Sequence, residues 1–209
     1  MKVLVTGVGG QLGYDVMKEL KKRGIDCCGA DRGEFDITDF QATKDFITAY
    51  MPDAVIHCSA YTAVDKAEEE IELCRAVNAE GTENIAKVCK DIDAKMIYIS
   101  TDYVFPGTGE RFYEPEDSTA PCNVYGETKL EGELAVKGLL EKYFIVRISW
   151  VFGINGNNFI KTMLKLGTSR KELSVVADQV GSPTYTADLA ILLVDMVSPE
   201  KYGIYHATN

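Results

Sequence analysis

The stretch that most constrains this chain is Gly7-Val8-Gly9-Gly10-Gln11-Leu12-Gly13, which follows directly on Lys2-Val3-Leu4-Val5-Thr6. The apolar, β-branched run before it suits a buried parallel strand. After it, Leu12, Val16 and Leu20, with Met17 alongside, recur at helical spacing until Gly24 ends the helix. Gly7, Gly10 and Gly13 follow a G-x-x-G-x-x-G spacing. Between a strand and a helix, the first permits a tight bend and the second lets a pyrophosphate reach the backbone. The third lets the helix pack closely on the strand. The helix N-terminus then presents free N–H groups to phosphate oxygens.

Ile25 to Ala30 reads as a second strand, and Asp31 stands 18 residues after Gly13. A glycine pattern alone is often only a turn. Flanked by strand and helix, and followed by an acid at this distance, it points to a bound dinucleotide. Asp31 suits the adenosine ribose hydroxyls, which favours NADH, whereas Arg32 suits adenine stacking or the 2′-phosphate of NADPH. The two point in opposite directions, and both cofactors stay open.

The rest of the chain alternates apolar strands with helices. Asp36-Ile37-Thr38-Asp39 leads to an N-cap, Thr38 or Asp39, for a helix through Tyr50. A strand from Ala54 to Cys58 delivers Ser59-Ala60-Tyr61-Thr62 to the carboxyl edge of the sheet, where open α/β sheets bind ligands. A helix is expected from about Glu69 to Lys90, its acidic start (Glu68-Glu69-Glu70) suiting the positive end of a helix dipole. Ala94 to Ser100 is the fourth strand, running into Thr101-Asp102-Tyr103. A loop with Pro and Gly, Pro106 through Pro121, precedes an N-cap at Asn123 and a helix to about Leu140. Tyr125, Lys129, Leu130, Leu134 and Leu139 are available to its inner face. Tyr143 to Ile148 is another buried strand, ending at Ser149-Trp150. A helix through Leu166, a short strand Leu173–Val176, a helix from Thr186 through Met196 and a strand from Tyr202 to His206 complete the chain.

At 209 residues, with 46% hydrophobic and 26% charged, the chain has an ordinary globular balance. No apolar run approaches the roughly 20 residues that span a bilayer, and the N-terminus turns glycine-rich before a signal-peptide core could form. A net charge of −10 with no Lys/Arg cluster argues against a nucleic-acid surface. The six cysteines, Cys27, Cys28, Cys58, Cys74, Cys89 and Cys122, make no Cys-x-x-Cys pair, and His57 and His206 lie far apart, which argues against zinc. Cys58 and Cys89 read as reduced, small hydrophobes, which suits a reducing cytoplasm.

Tyr125 stands four residues before Lys129, so both side chains share one helix face. An ammonium near a phenol favours the phenolate and tunes it for proton transfer near neutral pH. Tyr14 and Lys18 share this spacing but sit on the first helix, where an exposed face is the simpler reading. Tyr125 instead follows the fourth strand, whose end carries Thr101. A hydroxyl to polarise a carbonyl, a phenol to give a proton and an ammonium to bind a ribose together suit ketone reduction beside a nicotinamide.

With the glycine turn, this set resembles the extended short-chain dehydrogenase/reductases. The runs His57 to Glu68, Ile99 to Phe105, Tyr125 to Glu133, Arg147 to Gly153 and Asp178 to Thr184 resemble the dTDP-4-dehydrorhamnose reductases over the whole chain. The family often has alanine at Ser59 and histidine at Tyr61. The resemblance implies that Gly10, Gln11 and Leu12 line the pyrophosphate, Asp36 and Ile37 flank the adenine, and Ser59, Ala60 and Thr62 meet the nicotinamide side. It implies Thr101, Tyr125 and Lys129 as the catalytic set, and Thr101, Asp102, Tyr103 and Trp150 at the sugar nucleotide. As a bland alternative, Trp150 is plain core.

The expected fold is α/β, a Rossmann-type doubly wound parallel sheet with an incomplete C-terminal substrate-binding portion. Residues 1–150 would form the NAD(P)-binding domain with the catalytic residues, and residues 151–209 a partial substrate-binding portion interwoven with the last sheet elements. Since the resembled family runs on for several more helices, stable cofactor binding with poor turnover is expected. The expected reaction is reduction of the 4-keto group of a dTDP-linked 6-deoxyhexulose, a step toward cell-surface polysaccharide. The expected partner is that small nucleotide sugar, with a homodimer as an open option and neither nucleic acid nor membrane. Two alternatives stand beside it: a cofactor-binding regulatory subunit without turnover, and an epimerase or dehydratase. Against a dehydratase, Asp102 is followed by Tyr103 where a second carboxylate is needed.

Overall fold

A computed structural model describes residues 1–109 and 111–209. Glu110, inside the loop expected from Pro106 to Pro121, lies outside the described residues. The strands are β1 (Lys2–Thr6), β2 (Asp26–Ala30), β3 (Ala54–His57), β4 (Lys95–Thr101), β5 (Tyr143–Ile148), β6 (Val151–Phe152), β7 (Thr184–Tyr185) and β8 (Gly203–His206). The helices are α1 (Gln11–Lys22), α2 (Phe40–Tyr50), α3 (Val64–Ala67), α4 (Ile71–Arg75), α5 (Gly81–Asp91), α6 (Val124–Leu139), α7 (Phe159–Gly167) and α8 (Thr186–Asp195).

Six strands form one parallel sheet in the order β2-β1-β3-β4-β5-β8, the doubly wound, Rossmann-like arrangement. The short strands β6 and β7 pair separately. Alternation along each strand feeds two cores, one per face. Val3 and Val5 face Val16, Leu20, Leu189 and Leu193 of α1 and α8. Leu4 faces the other way, into a core with Ile47, Ile85, Val88 and Val136 of α2, α5 and α6. The winding direction reverses between β1 and β3. There the carboxyl ends of the strands open a crevice, the place where such sheets hold ligands.

Several local expectations change. The helix expected from Glu69 to Lys90 is α4 and α5 joined by a π-helical turn, Ala76–Glu80, and a separate short helix α3 precedes it. Of the two proposed caps for α2, Asp39 is the one in place: its carboxylate accepts from the Gln41 and Ala42 N–H groups. Asn123 caps α6 by accepting from Gly126 N–H at 2.7 Å. Leu134 does not face inward but is 58% exposed. The buried face of α6 runs through Gly126, Lys129, Gly132, Glu133 and Val136, so the helix approaches the sheet on small residues and Leu134 is turned outward. The strand expected at Leu173–Val176 is absent. Those residues are irregular and exposed, and no described strand lies beside them to pair with.

Candidate active site

A cavity of about 960 Å³ fills the crevice at the carboxyl edge of the sheet. The glycine turn forms one end. Gly7 bends the chain in the left-handed region at φ +71°, where a side chain would also meet Ser59 N at 2.7 Å. At Gly13 a side chain would come within 2.9 Å of the Val8 Cα, so only glycine lets α1 start this close to the turn. Gly10 is the N-cap of α1 and no side chain caps that end. Its first N–H groups therefore face the cavity lined by Gly10, Gln11, Leu12 and Gly13.

Along one flank lie Asp31, Asp36 and Ile37. Asp31 is turned onto the turn itself, its carboxylate accepting from Gly9 N–H at 2.7 Å. Asp36 accepts from the Thr38 N–H and hydroxyl and pairs with Arg32 at 3.2 Å, contacts that hold its carboxyl below the usual range. Ser59, Ala60 and Thr62 line the floor after β3, and Ser59 N–H donates to the Thr6 hydroxyl at 3.3 Å.

The other end gathers Thr101, Asp102, Tyr103, Tyr125, Lys129 and Trp150. Thr101, at the tip of β4, is buried, donates to Asp102 Oδ1 at 3.0 Å and accepts from Tyr103 N–H at 3.2 Å. Burial raises the Asp102 carboxyl, against the pull of the Thr101 hydrogen bond. The Tyr103 ring meets Tyr125 edge-on at 5.6 Å. Lys129 is 2% exposed; its Nζ donates to the Ile99 carbonyl at 2.7 Å and lies 4.1 Å over the Tyr98 ring. Trp150 is not plain core. It is 46% exposed, holds a positive φ of 45°, and lays its indole against Gly181, where a side chain would come within 2.6 Å.

The sequence expectation that the ammonium lowers the Tyr125 phenol is not met. Burial pushes the phenol up and outweighs the nearby Thr101 hydroxyl, which pulls it down, while the Asp102 charge adds to the rise. Burial likewise pushes Lys129 down, to about 7, in spite of Glu133. Desolvation wins at both groups.

A family model described as "RmlD substrate binding domain" matches residues 1–209. A dTDP-4-dehydrorhamnose reductase of Streptomyces griseus is 42% identical over 99% of this chain and 70% of its own length. The chain belongs to the dTDP-4-dehydrorhamnose reductase family. The Escherichia coli family member is 40% identical over 99% of this chain and 72% of its own. The crystal structure of the Bacillus anthracis reductase in complex with NADP superposes with a TM-score of 0.97 at 45% identity, covering 100% of this chain and 74% of that one. That of the Clostridium acetobutylicum reductase gives 0.96 at 44%, with the same coverage.

Several cavity residues of this reductase-family chain carry no signal in the sequence. Ala76 and Val77 of the π turn line the wall, and the buried Asn78 beside them ties the floor loop down. Its Oδ1 accepts from Tyr61 N–H at 2.8 Å and its Nδ2 donates to the Tyr61 carbonyl at 3.1 Å. Asn155 donates to the Gly9 and Gly10 carbonyls at 2.8 and 3.1 Å, and Asn158 to Gln11 Oε1 at 2.9 Å. The late segment thus braces the first turn. The run Asn155-Gly156-Asn157-Asn158 reads locally as a turn and a helix cap, which Asn158 indeed provides to α7. Nothing in it announces a partner about 145 residues away.

Proposed function

We propose that this chain reduces the 4-keto group of dTDP-4-dehydrorhamnose with a reduced nicotinamide dinucleotide, NADPH or NADH, to give dTDP-L-rhamnose. The observation that carries the reading is convergence: Thr101, Tyr125 and Lys129 meet at one end of a cavity whose other end is an uncapped helix N-terminus on a glycine turn. The names of the relatives supply the substrate.

The residues present fit such a cofactor. The bare turn and the free N–H groups of α1 suit a pyrophosphate. Asp31, Arg32, Asp36 and Ile37 stand where an adenosine would lie, and Ser59, Ala60 and Thr62 lead toward the catalytic end. When bound, the nicotinamide supplies the hydride. The chain's own residues handle the oxygen. Thr101 has one hydroxyl proton to donate, now given to Asp102, and a substrate carbonyl competes for it. Tyr125, a phenol that is protonated at neutral pH and that burial pushes further up, holds the proton which that oxygen takes. Lys129 brings a charge under the same end and, with a cofactor present, donors for a ribose. Tyr103 and Trp150 offer aromatic surface to the sugar nucleotide, and Asp102 an acceptor.

The reading extends to a cytoplasmic site of action, consistent with the six unpaired thiols, and to pairing with a second copy, which light scattering of the purified chain measures. The test of the reaction is to supply dTDP-4-dehydrorhamnose with NADPH or NADH and follow cofactor absorbance, with Tyr125→Phe as comparison. Turnover unaffected by that substitution removes Tyr125 as the acid. Calorimetry that detects neither cofactor removes the whole reading.

A further inference from the structure

Glu133 and Arg147 form an ion pair that the proposed reaction does not use. Both are buried, at 1% and 5% exposure. Arg147 Nε donates to Glu133 Oε1 at 2.9 Å and its Nη2 to Oε2 at 2.7 Å, a two-point fork. Ser100 Oγ donates to the same Oε1 at 2.5 Å. Arg147 Nη1 donates to the Pro115 carbonyl at 3.2 Å, and its guanidinium lies 4.9 Å over the Phe105 ring. One carboxylate therefore joins α6, β4 and β5, and through Arg147 the loop after β4.

A buried pair gains little net stability over apolar residues of the same size, because both charges must leave water. Its position offers another reason for it. Ser100 is the neighbour of Thr101, and Glu133 lies one turn beyond Lys129 on α6. We propose that Glu133 is a positioning residue: gripped by Ser100 and Arg147, it is the buried countercharge that keeps Lys129 an ammonium at the catalytic end of the cavity.

The groups around Lys129 leave few other candidates. From β4 come the neutral Tyr98 ring and the Ile99 carbonyl. At the end of β3 stand His57, kept neutral by burial, and the Cys58 thiol, pushed up to about 12. The Cys74 thiol faces it from α4, and α6 itself adds Tyr125, whose phenol is protonated. Arg147 of β5 shares Glu133's carboxylate through the two-point fork. Among the described residues, Glu133 is the carboxylate one turn from Lys129 on the same buried face of α6, and its charge opposes the burial that drives the proton off.

The test is a pH titration of Lys129 by NMR on protein carrying ¹³Cε-labelled lysine, in the cofactor-free state. The wild-type lysine is expected to titrate near 7, far below the surface lysines. In Glu133→Gln the midpoint moves down by about one pH unit or more, so the ammonium fraction at pH 7 falls several-fold. Glu133→Asp, which keeps the charge, restores most of the shift. A folded Glu133→Gln protein with an unmoved midpoint overturns the proposal. Should the lone buried Arg147 prevent folding, the double variant Glu133→Gln with Arg147→Met is read against Arg147→Met alone, so that both lack the arginine charge and only the carboxylate differs, and its midpoint is expected to lie lower. Equal midpoints in those two proteins overturn it equally. The titration needs neither cofactor nor substrate, so its outcome is separable from the reductase reading, on which only the catalytic consequence rests.

Discussion

Helices α6 and α7 are opposites in what they bury. α7 carries the cleaner apolar stripe, yet none of its residues is buried: Phe159 is 62% exposed and Leu164 68%. α6 turns Leu134 to solvent and instead buries Lys129 and Glu133 between two glycines and a valine. An apolar pattern marks a face that can be covered. Burial itself depends on what the topology sets beside it, and α6 lies across the strand that carries Thr101. Its polar inner face is tolerated because Ile99, Ser100 and Arg147 supply the partners that buried charge requires.

That contrast predicts where substitutions act. The largest effect is expected on α6 at the phenol: Tyr125→Phe lowers turnover on the order of 10²- to 10⁴-fold, with an unchanged melting curve. Next comes the close approach. At Gly132 a side chain would meet the Asn78 carbonyl at 2.7 Å, so Gly132→Val is expected to cost about 3 kcal/mol, read by urea denaturation. A cost below about 0.5 kcal/mol there would mean that α6 does not rest on the sheet as described.

A smaller effect concerns pH. Burial holds Lys129 at about 7, below an ordinary lysine at 10.5. Between those values the unfolded chain binds more protons than the folded one, so stability rises with pH. Above about 9 the thiols Cys58 and Cys89, which stay protonated in the fold up to about 12, reverse the slope. From pH 7 to 9 the cofactor-free protein should gain on the order of 2 kcal/mol, and Lys129→Met should remove most of that gain. A flat profile for the wild type would contradict the burial of the charge. The smallest effect is expected on α7, where Leu164→Ser should stay within about 0.5 kcal/mol of the parent. A cost of several kcal/mol would make α7 a core helix after all.

The same two helices mark how far the sequence could be read. Strands such as Ala54–His57 and Tyr143–Ile148 were legible because continuous β-branched and aromatic runs have little else to become, and the glycine turn because its spacing is geometric. The residues expected at the site all line one cavity, since strand ends and helix starts on one sheet edge are bound to meet. The illegible parts depended on long-range company. Val175 and Val176 look like a strand but have no strand beside them. Glu133 and Arg147 look like surface charges until α6 is laid over β5. The direction of the Tyr125 shift hung on whether burial or a neighbouring charge wins, and spacing carries no measure of burial.

The π turn at Ala76–Glu80 has a consequence of a different kind. It holds one residue more than an α turn would, so removing a single residue from it would let it close to an ordinary α turn and take out the bulge that carries Ala76, Val77 and Asn78. Asn78 would lose its grip on Tyr61. Exchanging side chains in this stretch alters the lining of the cavity, whereas changing its length displaces the wall. Part of the site is therefore written as a count of residues, and a family tolerant of substitution here should be intolerant of gaps.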